Sequence, residues 1–261
     1  MKKMNKEKIL SYIYLHSILP QLEEIVEFDE TAKDIIRNWN ASFQFDVNNG
    51  PKVVLIFKEG KLGVKREKIS FPTVSFWFPN FRSLNKMMEG KSVVPPWWGF
   101  WHIPLLKKFD NLTKKIESYL RPTDEFLKNE ENLKFNLKIA LYSLLWGIKA
   151  VAENDASFKV KRAMATISRF QNYTFQLEIL PDGPYGYISV SDGKLLPSKG
   201  RYQSPTAILQ VKDVEVAKKM FKQELDFMIA LGTGDLRIIG LISFVEAISI
   251  VMEKLSEYLP K

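Results

Sequence analysis

Two stretches of this chain alternate apolar and polar residues with a period of two. In one, Phe43, Phe45 and Val47 are separated by Gln44 and Asp46. In the other, Tyr173, Phe175, Leu177 and Ile179 are separated by Thr174, Gln176 and Glu178. Side chains on a strand point alternately to its two faces, so this spacing predicts a strand with one buried face. Each stretch runs into a turn, Asn48-Asn49-Gly50-Pro51 or Pro181-Asp182-Gly183-Pro184, where glycine supplies positive φ. A second apolar run follows, Val53 to Phe57 or Tyr185 to Val190, closed by Glu59-Gly60 or Asp192-Gly193. A third spans Thr73 to Phe78 or Thr206 to Val211. Each set reads as an antiparallel meander.

Past the meanders the period changes to that of a helix. Asn80 and Asp213 stand where N-caps are expected, and Val214, Ala217, Met220 and Phe221 lie on one helical face. Each set closes on a longer stripe. The first is Leu105, Phe109, Leu112, Ile116 and Tyr119; the second is Phe244, Ala247, Ile248, Val251, Leu255 and Tyr258. A helix carrying Leu137, Leu141, Leu144, Leu145 and Ile148 opens the second set, as Ile9, Ile13, Leu22, Ile25 and Val26 open the first.

The two sets are in register. Ser42-Phe43-Gln44-Phe45-Asp46-Val47 lies 132 residues before Thr174-Phe175-Gln176-Leu177-Glu178-Ile179. From the turn onward the offset is 133: Gly50 with Gly183, Gly60-Lys61-Leu62 with Gly193-Lys194-Leu195, Pro72-Thr73 with Pro205-Thr206, and Met87 with Met220. The constant order and spacing are accounted for by internal duplication. Proline at Arg121-Pro122-Thr123-Asp124 stops the first closing helix and sets the boundary. The expected architecture is α+β: a tandem repeat of a small antiparallel sheet covered by helices, with domains 1–122 and 123–261.

Composition narrows the chemistry. Of 261 residues, 46% are apolar and 26% charged, which supports an ordinary globular core. There is no cysteine, so disulfides, thiolate metal sites and cysteine nucleophiles are excluded. His16 and His102 are the only histidines, so a zinc site would depend on carboxylates. No uninterrupted apolar run approaches the ~20 residues of a membrane-spanning helix. The start, Met1-Lys2-Lys3, resembles a signal n-region, but Ile9 to Ser17 is broken by polar residues and is read as a helix of the mature protein. A cytoplasmic location is expected. The net charge of +8 is uneven, with +7 in residues 1–122 and +1 in the rest. This is either an ordinary surface or an attraction of the first half to an anionic membrane or acidic partner. Dispersed lysines and the lack of a recognition helix argue against nucleic acid.

Asp192-Gly193-Lys194-Leu195, the helix from Asp213 to Leu225 and the run Gly232-Thr233-Gly234-Asp235-Leu236-Arg237-Ile238-Ile239-Gly240 resemble the sterol carrier protein (type two) superfamily. Glu59-Gly60-Lys61-Leu62 and Met87-Met88-Glu89-Gly90-Lys91 carry the likeness in the first copy. The resemblance implies a small sheet whose helices cover an apolar tunnel. The first copy departs from it where Val93-Val94-Pro95-Pro96-Trp97-Trp98-Gly99-Phe100-Trp101-His102 replaces the glycine-flanked late strand, since two prolines oppose a regular central strand.

No Gly-x-Ser-x-Gly elbow, phosphate loop, dinucleotide fingerprint or His-Glu-x-x-His occurs. Gly232-Thr233-Gly234 reads as a turn before a strand. His102, between Trp101 and Ile103, and His16 read as structural histidines. No cofactor and no catalysis are expected. The apolar lining or lid of a ligand site is assigned to Phe76, Phe78, Trp97, Trp98 and Trp101 in the first copy, and to Phe221, Leu225, Phe227, Met228 and Phe244 in the second. The tryptophan segment fits a loop packed on its own domain or at the domain interface, a lid over a ligand or a membrane-touching edge. Two functions follow: binding of a fatty acid, acyl-CoA, sterol-like molecule or other lipid, or a scaffold whose cavity is filled by its own side chains. An acyl-transfer or hydrolytic enzyme is a weaker third, lacking a nucleophile constellation.

Overall fold

The computed structural model describes residues 2–91, 97–98, 103–120 and 122–259. The chain divides into two compact units, Met1–Thr123 and Asp124–Lys261. Both are α+β.

The first unit opens with α1 (Lys2–Ile13), which passes through a wider turn at Tyr14–Ile18 and a tighter one at Leu19–Gln21 into α2 (Leu22–Phe28). Pro20 lies at the start of the tighter turn, where its missing N–H is tolerated. Asp29 leaves the helical region and caps α3 (Glu30–Ile36), accepting from the N–H groups of Thr31 and Ala32 at 2.8 and 3.0 Å. The strands are β1 (Asn40–Val47), β2 (Lys52–Lys58), β3 (Lys61–Lys65), β4 (Val74–Phe78) and the two-residue β5 (Trp97–Trp98), ordered β3-β2-β1-β4-β5. The helix α4 (Phe81–Met88) follows β4, capped by Asn80 through the Ser83 N–H at 3.0 Å. The closing helix is α5 (Ile103–Leu120).

The second unit opens with one continuous helix, α6 (Glu130–Asn154), then α7 (Phe158–Ile167). Its strands are β6 (Thr174–Ile179), β7 (Tyr185–Ser191), β8 (Lys194–Lys199), β9 (Ala207–Val211) and β10 (Leu236–Gly240). Between β9 and β10 come α8 (Val214–Phe221), capped by Asp213 through the Val216 N–H at 2.8 Å, and α9 (Phe227–Thr233). The chain ends in α10 (Ile242–Ser256). The strand order β8-β7-β6-β9-β10 is that of the first unit, and Phe175↔Ala207 answers Phe43↔Val74 in register.

Two features correct the antiparallel meander. The run from Thr73 or Thr206 is the fourth strand, not the third, and it lies parallel to the first strand on its other side. The true third strands, β3 and β8, pair antiparallel at the outer edge of each hairpin. Each sheet is therefore mixed. The connection from third to fourth strand has to cross the first two strands, and it does so over the face opposite the helices. The helix predicted from Asp213 to Leu225 also stops early: α8 ends at Phe221, and Gln223 takes a left-handed φ of 59° before α9 begins.

The helices seal one face of each sheet. In the second unit Phe175, Leu177, Ile179, Leu209 and Val211 are fully buried there, together with Phe244, Ile248 and Val251 of α10. The helix α6 is long and apolar enough to cross a membrane, contrary to the reading of uninterrupted runs, but it buries a stripe from Leu133 to Val151 inside its own unit. It approaches β7 so closely that a Cβ on Gly186 would lie 2.5 Å from a methyl of Leu145.

Candidate functional site

The first site to build is the helix-covered face, to which the sequence assigned the ligand. In the first unit it is filled by aromatic side chains. Phe43 of β1 stacks on Phe109 of α5 with centroids 4.1 Å apart, Phe57 meets both edge-on, and Trp39 leans on Phe43 and Phe57. Phe78 is fully buried, and Phe76 is half-buried against Phe45 with centroids 5.1 Å apart. Trp97 pairs with Phe76, and Trp98 with Ser75, at the edge of the sheet. Proline before such a strand costs no ladder bond when it sits at an edge. The Trp98 indole is 61% exposed, and Trp77, on the same outer face, is 45% exposed. Trp101 and His102 lie outside the described residues. His16 Nε2 sits 3.1 Å from the Lys52 carbonyl oxygen, and its ring meets Tyr12 edge-on.

In the second unit the predicted lining separates. Phe244 is core, packed on Phe170 and Tyr173 at 5.3 and 6.3 Å between centroids. Phe221 and Leu225 are half-buried. Phe227 and Met228 are exposed on the first turn of α9, where Asp226 caps the N–H of Ile229 at 2.9 Å. Met228 is 75% exposed; Ile229 and Ile242, which the sequence reading passed over, are each 66% exposed. Among the α9 residues only Ala230 is buried. The turn expected at Gly232-Thr233-Gly234 is confined to Gly234, which ends α9 at a φ of 79°; Gly232 and Thr233 are the last residues of the helix.

The second site lies on the opposite face of the sheet and was missed. The polar half of each alternation is also buried: Ser42, Gln44 and Asp46 in β1, and Thr174, Gln176 and Glu178 in β6. The crossing connection covers them. In the first unit Gln44 Oε1 accepts from the Ile69 N–H at 2.9 Å, and Ser42 and Thr73 exchange two bonds of 3.0 Å through backbone N–H and side-chain oxygen. Asp46 is held by Lys52 at 2.5 Å and Lys68 at 3.3 Å. In the second unit Gln176 Oε1 accepts from the Tyr202 N–H at 2.6 Å, and Glu178 accepts from the amides of Gln176 and Gln210 at 2.5 and 3.1 Å. Here the cover leaves a recess of about 480 Å³, lined by Gln176, Glu178, Arg201, Tyr202, Pro205 and Ile208 among others. The repeat itself carried the signal. Glutamine matches glutamine and carboxylate matches carboxylate at positions a strand with one buried face would leave to solvent.

Among the described residues, no group of three or more His, Asp or Glu could hold a metal ion. Two tyrosines have shifted acidity. Tyr119 on α5 donates to Asp29 Oδ2 at 2.8 Å, and Tyr258, which the sequence stripe placed on the closing helix but which lies in the turn after α10, donates to Asp155 Oδ2 at 2.7 Å. Burial first, and then the bond to a carboxylate, push the Tyr119 phenol up to about 12, and raise Tyr258 in the same way.

Solved structures similar to this chain include a UbiJ-SCP2 ubiquinone synthesis protein, 13% identical, covering 43% of this chain and 95% of its own, at a TM-score of 0.32. Sterol carrier protein domain 2 of Helicoverpa armigera is 14% identical and covers 47% of this chain and 92% of its own, at 0.34. Sterol carrier protein 2 like 2 from Aedes aegypti is 19% identical and covers 39% and 93%, at 0.24. These are structures of the family that the sequence motifs resemble. No family model and no curated protein matches the chain.

Proposed function

We propose that this chain is a non-catalytic carrier of an apolar molecule, a fatty acid, acyl-CoA, sterol-like molecule or other lipid, and that the second unit holds it. The observation that carries this reading is the turn Phe227-Met228-Ile229 at the start of α9, apolar and solvent-facing, on a helix that packs beside edge strand β10. Ile242, at the start of α10, adds a fourth exposed apolar side chain. Such side chains are ordinarily covered by something, and a flexible methionine suits a lining of adaptable shape. Burying an acyl chain there at ~25 cal/mol per Å² gives useful affinity without a polar anchor. The scaffold reading is kept for the first unit, where the stack of Phe43 on Phe109 occupies the space a ligand would need. The carrier works in the cytoplasm and meets anionic membrane through the basic first unit. Native mass spectrometry of the purified chain tests the reading: co-purified lipid supports it. No adduct, together with no displaceable binding of a fluorescent fatty acid, removes it.

A further inference from the structure

We propose that the recess on the outer face of the second sheet is a binding site for a small organic cation with a guanidinium or alkylammonium head. The side chain of Glu178 is only 3% exposed. Its two bonds come from neutral amides, Gln176 to Oε1 and Gln210 to Oε2. A buried carboxylate needs a positive partner as well as hydrogen bonds. Among the described residues the one cation near it is Arg201, whose Nε stands 3.7 Å from Oε1. That is beyond hydrogen-bond length. Arg201 is itself 66% exposed and lies over the Tyr185 ring at 5.3 Å.

The first unit shows how the same place looks when it is closed. Its carboxylate, Asp46, has two lysines, Lys52 across the strand pair and Lys68 from the covering connection. In the second unit Tyr185 stands opposite Glu178 where Lys52 stands opposite Asp46, and Arg201 takes the place of Lys68 at the same offset of 133. One cation is missing: Tyr185, whose ring lies under Arg201, stands at the lysine's position, and an open recess lies beside the carboxylate. A guanidinium or ammonium group in the recess supplies the charge and donates N–H to the carboxylate. The recess, at about 480 Å³, falls in the size range of small-molecule sites. Arg201, in the place of Lys68, is then a like-charged neighbour that competes with the ligand for the same carboxylate. This site is on the opposite sheet face from the helix-covered side and stands whether or not lipid binds there.

The test is a titration of the full chain, 15N-labelled, with methylguanidinium and with n-butylammonium, followed by NMR. The amide of Tyr202, held by Gln176, and the amides of Gln176 to Glu178 are expected to shift along one saturable curve, with Kd on the order of 1 mM. Glu178→Gln is expected to weaken binding roughly tenfold. Arg201→Ala keeps the carboxylate and removes the competitor, so it is expected to tighten binding roughly threefold. Linear shifts without saturation for both cations, shifts that avoid these amides, or weaker binding in Arg201→Ala would each overturn the proposal. If Glu178→Gln fails to fold, the wild-type shift map and Arg201→Ala still decide.

Discussion

Tyr119, on α5, is tied to Asp29, which ends α2 and caps α3, and Tyr258, in the turn after α10, is tied to Asp155, which ends α6. Asp29 Oδ1 is occupied by the α3 cap and Asp155 Oδ1 by the Ser157 N–H at 2.7 Å, so Oδ2 is the oxygen left for the phenol. Tyr119→Phe and Tyr258→Phe are each expected to cost about 1.5–3 kcal/mol in urea unfolding at neutral pH, the range for a bond to a charged acceptor. The pH dependence has a definite sign. The folded Tyr119 phenol titrates near 12 against an ordinary 10, so its contribution is complete below 10 and is lost as pH climbs toward 12. The deficit of Tyr119→Phe relative to wild type is therefore expected to shrink when both are unfolded near pH 11. A deficit that stays constant would mean the phenol acts through packing alone. Gly240 is the other residue with a sharp requirement. Its φ is 89°, and a Cβ there would stand 2.2 Å from the Thr206 carbonyl oxygen. Gly240→Ala is expected to lose about 2–3 kcal/mol, since both backbone strain and a backbone clash must be relieved.

At the level of elements, what the sequence made legible was whatever had a buried face with one period. β1 and β6, the closing helices and the caps at Asn80 and Asp213 were all of this kind. β3 and β8 were not. β3 offers only Leu62 and Val64 as apolar residues, neither fully buried, and β8 contains Pro197, which reads as a strand breaker until β8 is known to be an edge. Their omission hid the crossover, and with it the cover over Gln176 and Glu178. α9 escaped for a different reason: Phe227-Met228-Ile229-Ala230 is an unbroken apolar run with no helical period, so burial was expected for side chains that face outward. That outward turn is where the carrier reading is most exposed to test. Met228→Ser with Ile229→Ser is expected to leave the melting temperature within a few degrees, because surface changes cost about 0.5 kcal/mol or less. The same pair is expected to weaken fluorescent fatty-acid binding at least about fivefold, for the apolar area lost. Unchanged binding with unchanged stability would move the ligand away from α9.

For the whole molecule, the proposed carrier function requires a way for an apolar cargo to reach a bilayer. The first unit carries the charge, +7 of the +8, and its outer sheet face exposes Trp77 and Trp98 beside a connection that holds Lys68 and an almost fully exposed Phe71. Tryptophan favours the boundary between headgroups and acyl chains, and each lysine near an anionic surface contributes about 1 kcal/mol at physiological salt. Neither contribution alone gives stable attachment; together they are expected to give a weak and reversible one, as the proposed carrier would require. The full chain is therefore expected to sediment with vesicles containing phosphatidylserine and to stay in solution with pure phosphatidylcholine. Binding is expected to fall several-fold when salt shortens the Debye length from ~10 Å toward ~3 Å. Trp77→Ser with Trp98→Ser is expected to weaken the attachment at every salt concentration, because it removes the apolar part, while leaving the slope of binding against salt unchanged, because the lysines remain. Equal binding to both vesicle types would rule out the electrostatic contribution, and a double variant that binds like wild type would take the tryptophan face out of the contact.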